Sequence, residues 1–187
     1  MVVTGASQAV LVAHPQTPAT LPVTLVAEVR TVSAAVLRCD YVLQADLARL
    51  ALPARRAGER RDELWRHTCF EAFVSPREQS GYYEFNFSPS GDWAAYRFED
   101  YRRGRTRAPL GQAPAVQVDA RPGRLALSVT LELGGLGSPG RAAGLRLALA
   151  AVLEDQQGAL SYWALAHPPG KPDFHHPAGF TLELHAP

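Results

Sequence analysis

The chain has 187 residues, 47% of them hydrophobic and 20% charged, with a formal net charge of +1. That length suits one domain able to bury its own core, and the composition excludes wholesale disorder. Near-neutral charge excludes a global field for nucleic acid or anionic lipid, although 18 of the 19 basic residues are arginine and only Lys171 is lysine.

Period-two alternation dominates the chain from end to end. In order, Val10–Ala13, Val23–Val29, Ala34–Leu43, Thr68–Val74, Tyr82–Ser88, Trp93–Phe98, Ala115–Asp119, Leu125–Leu133, Leu145–Leu153, Leu160–Leu165 and Phe180–Leu184 read as strands. Turn chemistry separates several of them, including Ser88-Pro89-Ser90-Gly91, Arg121-Pro122-Gly123-Arg124 and Asp155-Gln156-Gln157-Gly158. Ala45–Leu50 and Ser138–Ala143 are the two places where a helical turn is expected. The pattern predicts an all-β, antiparallel β-sandwich, immunoglobulin-like or jelly-roll-like, of about ten to eleven strands in a single domain spanning 1–187. Three loops interrupt it: the Arg-rich Pro53–Glu63, expected to be a mobile excursion over one end; Arg102–Pro114, with four arginines; and His167–Gly179, with three histidines.

The N-terminus lacks the basic start and apolar run of a signal peptide, and no window approaches the length of a membrane span, so a cytoplasmic location is expected. Cys39 and Cys69 are the only cysteines and read as reduced, buried thiols.

The segment from Leu64 to Tyr101 carries the most information. A slip of one residue exchanges the two faces of a strand, so matching apolar faces sets the expected register. Pairing Glu71 with Glu84 sets Phe70 against Phe85, Ala72 against Tyr83 and Cys69 against Asn86. Pairing Phe85 with Phe98 and Phe87 with Tyr96 sets Asn86 against Arg97. The expected result is one polar surface bearing Glu71, Glu84, Asn86 and Arg97, with Trp93 at its edge.

The runs LWRHTCFEAFV and YYEFNFSPSGDWAAYRF, followed by PDFHHPAGF, resemble the DOMON-like proteins related to family 9 carbohydrate-binding modules. The likeness is greatest to the subfamily associated with the muramate-pathway dehydrogenase. The resemblance implies a sandwich built to hold a ligand, either a sugar or haem.

Sugar sites stack rings on flat aromatics and bind hydroxyls with bidentate polar groups. The candidate ligand-binding residues are therefore Trp65, His67, Glu71, Glu84, Asn86, Trp93, Arg97, Trp163, His167 and His175, and the favoured partner is a small carbohydrate or sugar derivative bound without catalysis. The first alternative is a haem-binding electron-transfer module. It would use two ligands from His67, His167, His175 and His176, or one histidine with an open site, since Met1 is the sole methionine and no CxxCH motif is present. The second is a hydrolase using the Glu71/Glu84 pair or a histidine-bound metal. The histidine spacing matches no metal template, so neither metal nor catalytic residues are assigned.

Overall fold

The computed structural model describes residues 6–33, 35–77, 81–134 and 144–184. Among the described residues, twelve strands run β1 (Ala6–Ala13), β2 (Val23–Ser33), β3 (Val36–Ala45), β4 (Cys69–Pro76), β5 (Tyr82–Phe87), β6 (Trp93–Phe98), β7 (Thr106–Arg107), β8 (Ala115–Arg121), β9 (Arg124–Glu132), β10 (Leu145–Glu154), β11 (Leu160–Ala164) and β12 (Leu182–Leu184). All named pairings are antiparallel. The all-β class and sandwich architecture are as the alternation predicted. The additional strand is β7, two residues long and too short to leave a periodic signal.

The strands form two layers. The first has the order β1-β2-β3-β9-β8; the second has β7-β6-β5-β4-β10-β11, with β12 beside the opening of β10. Strand β1 belongs to both: Ala6–Leu11 pair with β2, then Val12 and Ala13 pair with β11. Between the layers lies the main core, where Leu25, Val29, Tyr41, Leu43, Leu127 and Leu131 meet Phe70, Ala72, Phe85, Phe87, Leu149 and Leu153. Tyr41 donates to the Glu71 carbonyl at 2.8 Å, satisfying the phenol inside an otherwise apolar layer. Cys39 and Cys69 are both free and buried; burial lifts the Cys39 thiol to about 12.

At its centre the second sheet is covered on both faces. Every residue of β4 is buried, with no alternation. A second cluster of Phe73, Tyr82, Ala94, Tyr96, Phe98, Ala148, Ala150 and Ala164 lies on its outer side, packed by Leu64, Phe174 and Phe180 from the loops. The functional side chains are collected on this outer face.

The register differs from the face-matching expectation in both hairpins. Between β4 and β5, Glu71 lies opposite Asn86, and Phe73 opposite Glu84. That is a two-residue shift, so the faces are kept but Glu71 and Glu84 become diagonal neighbours. Between β5 and β6, Phe87 lies opposite Trp93, Glu84 opposite Tyr96 and Tyr82 opposite Phe98. This shift is three residues, which sends Trp93 and Arg97 to the other face.

The cause is the 88–92 loop. Ser88 N–H donates to Asp92 O at 2.9 Å, Gly91 N–H donates to Ser88 O at 2.9 Å, and the Ser90 hydroxyl bonds the Ser88 hydroxyl at 3.0 Å. The return strand must then start at Trp93. Aromatic matching misled because it assumed a single apolar face. Tyr82 and Phe98 instead stack on the outer face, with centroids 4.8 Å apart and planes 6° from parallel.

The Arg-rich segment 53–63 is pinned rather than a free excursion. Arg56 N–H donates to Ser90 O (2.7 Å), Trp93 N–H to Glu59 O (3.0 Å), Arg61 N–H to Trp93 O (2.9 Å), and Glu59 N–H to Asp92 Oδ1 (3.0 Å). Its backbone crosses the 88–92 loop so closely that a Cβ on Gly58 would lie 3.0 Å from the Gly91 carbonyl oxygen. Short 3-10 turns occupy Leu47–Arg49, Leu64–Arg66 and Pro177–Gly179; the first falls within Ala45–Leu50, where a helical turn was expected. Ser138–Ala143, where the other was expected, lies outside the described residues.

Candidate functional site

A cavity of about 380 Å³ opens on the outer face of the second sheet. Its floor is assembled from neighbouring strands: Glu71 on β4, Glu84 on β5, Phe98 on β6, Val152 on β10 and Tyr162 on β11. Its walls come from loops: Trp65 in the turn before β4, Arg102 and Arg105 between β6 and β7, and Pro172, Phe174 and His175 between β11 and β12. The volume falls within the range of about 300–1,000 Å³ typical of small-molecule sites.

The two carboxyls on the floor are buried, Glu71 being 3% exposed and Glu84 5%. Glu71 Oε1 is enclosed without a hydrogen-bond partner. Burial drives the Glu71 carboxyl well above the usual carboxylate range, the charge of Glu84 adds to the rise, and Arg102 opposes it. Glu84 is also raised by burial, against hydrogen bonding from Asn86 and the fields of Arg105 and Arg102. Asn86, two residues along the same face of β5, is wholly buried, and its Nδ2 donates to Glu84 Oε1 at 2.6 Å.

His175 closes the opposite side. Its Nδ1 lies 2.8 Å from the Tyr82 hydroxyl and its Nε2 3.7 Å from Glu84 Oε2. The Tyr82 oxygen accepts from the Arg102 N–H at 3.1 Å. The assignment satisfying most partners has the Tyr82 O–H donate to Nδ1, leaving Nε2–H directed at Glu84. Burial, reinforced by Arg102, lowers the imidazole to about 4, so His175 is neutral near pH 7 and supplies no counter-charge to Glu84.

Arg102 is held in a left-handed backbone conformation, φ 54°. A non-glycine residue there costs on the order of 1 kcal/mol or more. The turn that imposes it is closed by Arg103 N–H donating to Asp100 O at 3.0 Å. The result is a double anchor: the backbone N–H reaches Tyr82, while the guanidinium grips Asp173 Oδ1 through Nη2 (2.6 Å) and Nε (3.2 Å). The Tyr101 hydroxyl donates to the other oxygen of Asp173. Against the raising effect of burial, these bonds hold Asp173 below its ordinary range. Asp173 Oδ1 also accepts from the His175 N–H at 3.1 Å, so the arginine loop and the histidine loop are one unit over the cavity. Arg105 lies over the Tyr96 ring at 5.3 Å.

The structure gathers some of the sequence-derived candidates and disperses others. Trp65, Glu71, Glu84 and His175 line the cavity, and Asn86 holds Glu84 from the same face of β5. Trp93 and Arg97 are on the opposite face because of the β5–β6 register; Trp93 packs against the main core and Arg97 is exposed. The single surface expected for Glu71, Glu84, Asn86, Arg97 and Trp93 therefore does not form. Trp163 faces inward, 6% exposed, with its indole N–H on Ser161 Oγ at 3.0 Å. His67 pairs with Glu154 at 2.7 Å and His167 with the Val12 carbonyl at 2.8 Å; neither lines the cavity.

The lining residues missed in the sequence are Phe98, Arg102, Arg105, Val152, Tyr162, Pro172 and Phe174. The arginines stood out as a basic loop, but nothing local ties that loop to the carboxylates. The aromatics read as ordinary core residues. Among the described residues, no group of three His, Cys, Asp or Glu gathers to hold a metal ion, and His176 Nδ1 is engaged in accepting from the Ala178 N–H at 3.2 Å. No helix among the described residues is long and apolar enough to cross a membrane.

No protein-family model and no curated protein sequence matches the chain. Solved structures do resemble it. A Bacteroides uniformis protein inferred to bind carbohydrate superposes with a TM-score of 0.66 at 16% identity, covering 95% of this chain and 84% of that one. A family 9 carbohydrate-binding module from Caldicellulosiruptor kristjanssonii, in complex with glucose, gives 0.46 at 9% identity, covering 81% and 71%. The same organism's module in complex with cellotriose gives 0.47 at 10% identity, covering 81% and 70%. At these identities the first likeness establishes the shared fold.

Proposed function

We propose that this domain is a non-catalytic carbohydrate-binding module that seats a sugar or sugar derivative in the cavity on the outer face of its second sheet. The observation that carries the reading is the enclosed, unpartnered carboxyl oxygen of Glu71 beside the second buried carboxyl of Glu84, opposite an aromatic wall. Trp65, at 37% exposed, offers a flat apolar surface at the rim. Sugar hydroxyls both donate and accept, and a floor of carboxyls beside aromatic rings suits them. The Arg102–Asp173 ion pair ties the two wall loops together before ligand arrives, so little loop ordering remains to oppose binding.

The fold-level likeness to an inferred carbohydrate binder agrees with this reading without carrying it. The W…FE…YYEFN.SPSG.W pattern supports assigning the domain to the DOMON-like relatives of family 9 carbohydrate-binding modules. Titration calorimetry against a panel of mono- and disaccharides tests the function. Binding by at least one sugar, weakened about tenfold in Trp65→Ala, is expected. Absence of heat with every sugar would contradict it.

A further inference from the structure

Resting on the cavity as a sugar site, we infer that its preferred ligand is an amino sugar, with the ammonium group seated on Glu71 and Glu84. The floor offers two buried carboxyls, and among the described residues the cations near them are engaged elsewhere. Arg102 is bonded to Asp173, and Arg105 is exposed over the Tyr96 ring. His175, the group closest to Glu84, is neutral near pH 7. One oxygen of Glu84 is occupied by Asn86, but Glu71 Oε1 has no partner at all.

Hydroxyls of a neutral sugar supply hydrogen bonds but no charge, so the carboxyl pair would still have to retain a proton. A primary ammonium carries three N–H donors and one positive charge. It meets the vacant Glu71 oxygen together with Glu84 Oε2, which the His175 Nε2 faces only at 3.7 Å, and neutralises the charge that burial disfavours. The opposite choice, an acidic sugar gripped by the arginines, leaves Glu71 unpartnered and adds a third carboxylate to the site. A buried acid with an unpartnered oxygen at position 71 costs the fold stability unless a ligand compensates it.

Binding then displaces a proton: Glu71–COOH and R–NH₃⁺ give the Glu71 carboxylate–ammonium pair, and H⁺ passes to the buffer. The charged and titratable groups facing Glu71 are Glu84 on β5, Arg102 and Arg105 on the arginine loop, His175 on the histidine loop, Cys69 on its own strand and Tyr41 from the core side. The Glu71 carboxyl lies above the usual range and is the group that would release the proton.

The test is calorimetry of the whole protein with D-glucosamine, N-acetyl-D-glucosamine and D-glucose at about pH 6.5, where an amine is charged. Two buffers of different ionisation enthalpy report proton release. Glucosamine is expected to bind about tenfold tighter than the other two sugars, as a charge-assisted contact replaces a neutral one. It should also release protons where they do not, and Glu71→Gln should abolish both differences. Equal affinity for all three, or glucosamine binding without proton release, would overturn the ammonium assignment while leaving the cavity reading intact. Failure of all three sugars and of the wider panel would remove both. The proton count is read from the unaltered protein, so it stands even if the variant folds poorly.

Discussion

The two sheets are built from similar strands and put to different uses. In the first, β9 alternates buried and partly exposed residues along most of its length, and β2 does the same in its central part. One face packs and the other meets solvent. In the second, β4 is buried throughout, because loops 99–105 and 172–180 lie over its outer side. A strand with one buried face places its polar residues in water, where they need no explanation. A strand with two buried faces encloses them, and each then needs a partner. Glu71 Oε1 lacks one, and it lies on the floor of the cavity.

The comparison is tested most severely by truncating matching outer-face positions. Phe73 is fully buried beneath His175 and Phe180, with centroids 5.2 and 6.2 Å away. Phe73→Ala should cost about 3–5 kcal/mol in denaturant unfolding. Thr24, on the outer side of β2, is exposed, and Thr24→Ala should change stability by less than about 0.5 kcal/mol. Similar losses at both positions would mean that the loops do not cover the second sheet.

The next largest effect is a pH dependence. His175 titrates at about 4 in the fold against 6.5 unfolded, so between those values the unfolded chain binds more protons and stability rises with pH. The rise amounts to about 3 kcal/mol at roughly 1.4 kcal/mol per pH unit. His175→Gln should remove it from a stability profile measured across that window. An unchanged profile would place the imidazole in water.

Glu71 acts in the opposite sense. Its folded value lies above the ordinary 4.5, so the native state holds the extra proton and stability falls as pH rises past 4.5. Glu71→Gln should therefore stabilise the protein near pH 7, by roughly 1–2 kcal/mol, with no gain below pH 4. Destabilisation at pH 7 would mean that the carboxylate has a partner in the fold.

What could be read from the chain follows the same division. Strands with one buried face announced themselves by alternation, so the class, the strand succession and the polar identity of Glu71, Glu84 and Asn86 were legible. The β5–β6 register was not, because Tyr96 and Phe98 serve a second apolar face and were matched to the first. The error moved Trp93 and Arg97 onto a surface they do not share. Arg102 and Asp173 come together from positions 71 residues apart through a left-handed backbone turn, and no local pattern encodes that meeting. Trp163 and Tyr162 adjoin in the chain and face opposite sides of β11, so which of the two enters the site depends on the β10–β11 register, where Tyr162 lies opposite Val152.

The central claim, that ligand enters the loop-covered face, reduces to which tryptophan senses it. The three tryptophans occupy three environments: Trp65 at the cavity rim, Trp93 on the opposite face and Trp163 in the core. Their indole N–H resonances in a two-dimensional nitrogen–proton spectrum separate the possibilities during titration with the tightest-binding sugar of the panel. The account predicts that the Trp65 resonance moves while those of Trp93 and Trp163 stay in place. Movement of Trp93 or Trp163 with Trp65 unshifted would contradict it.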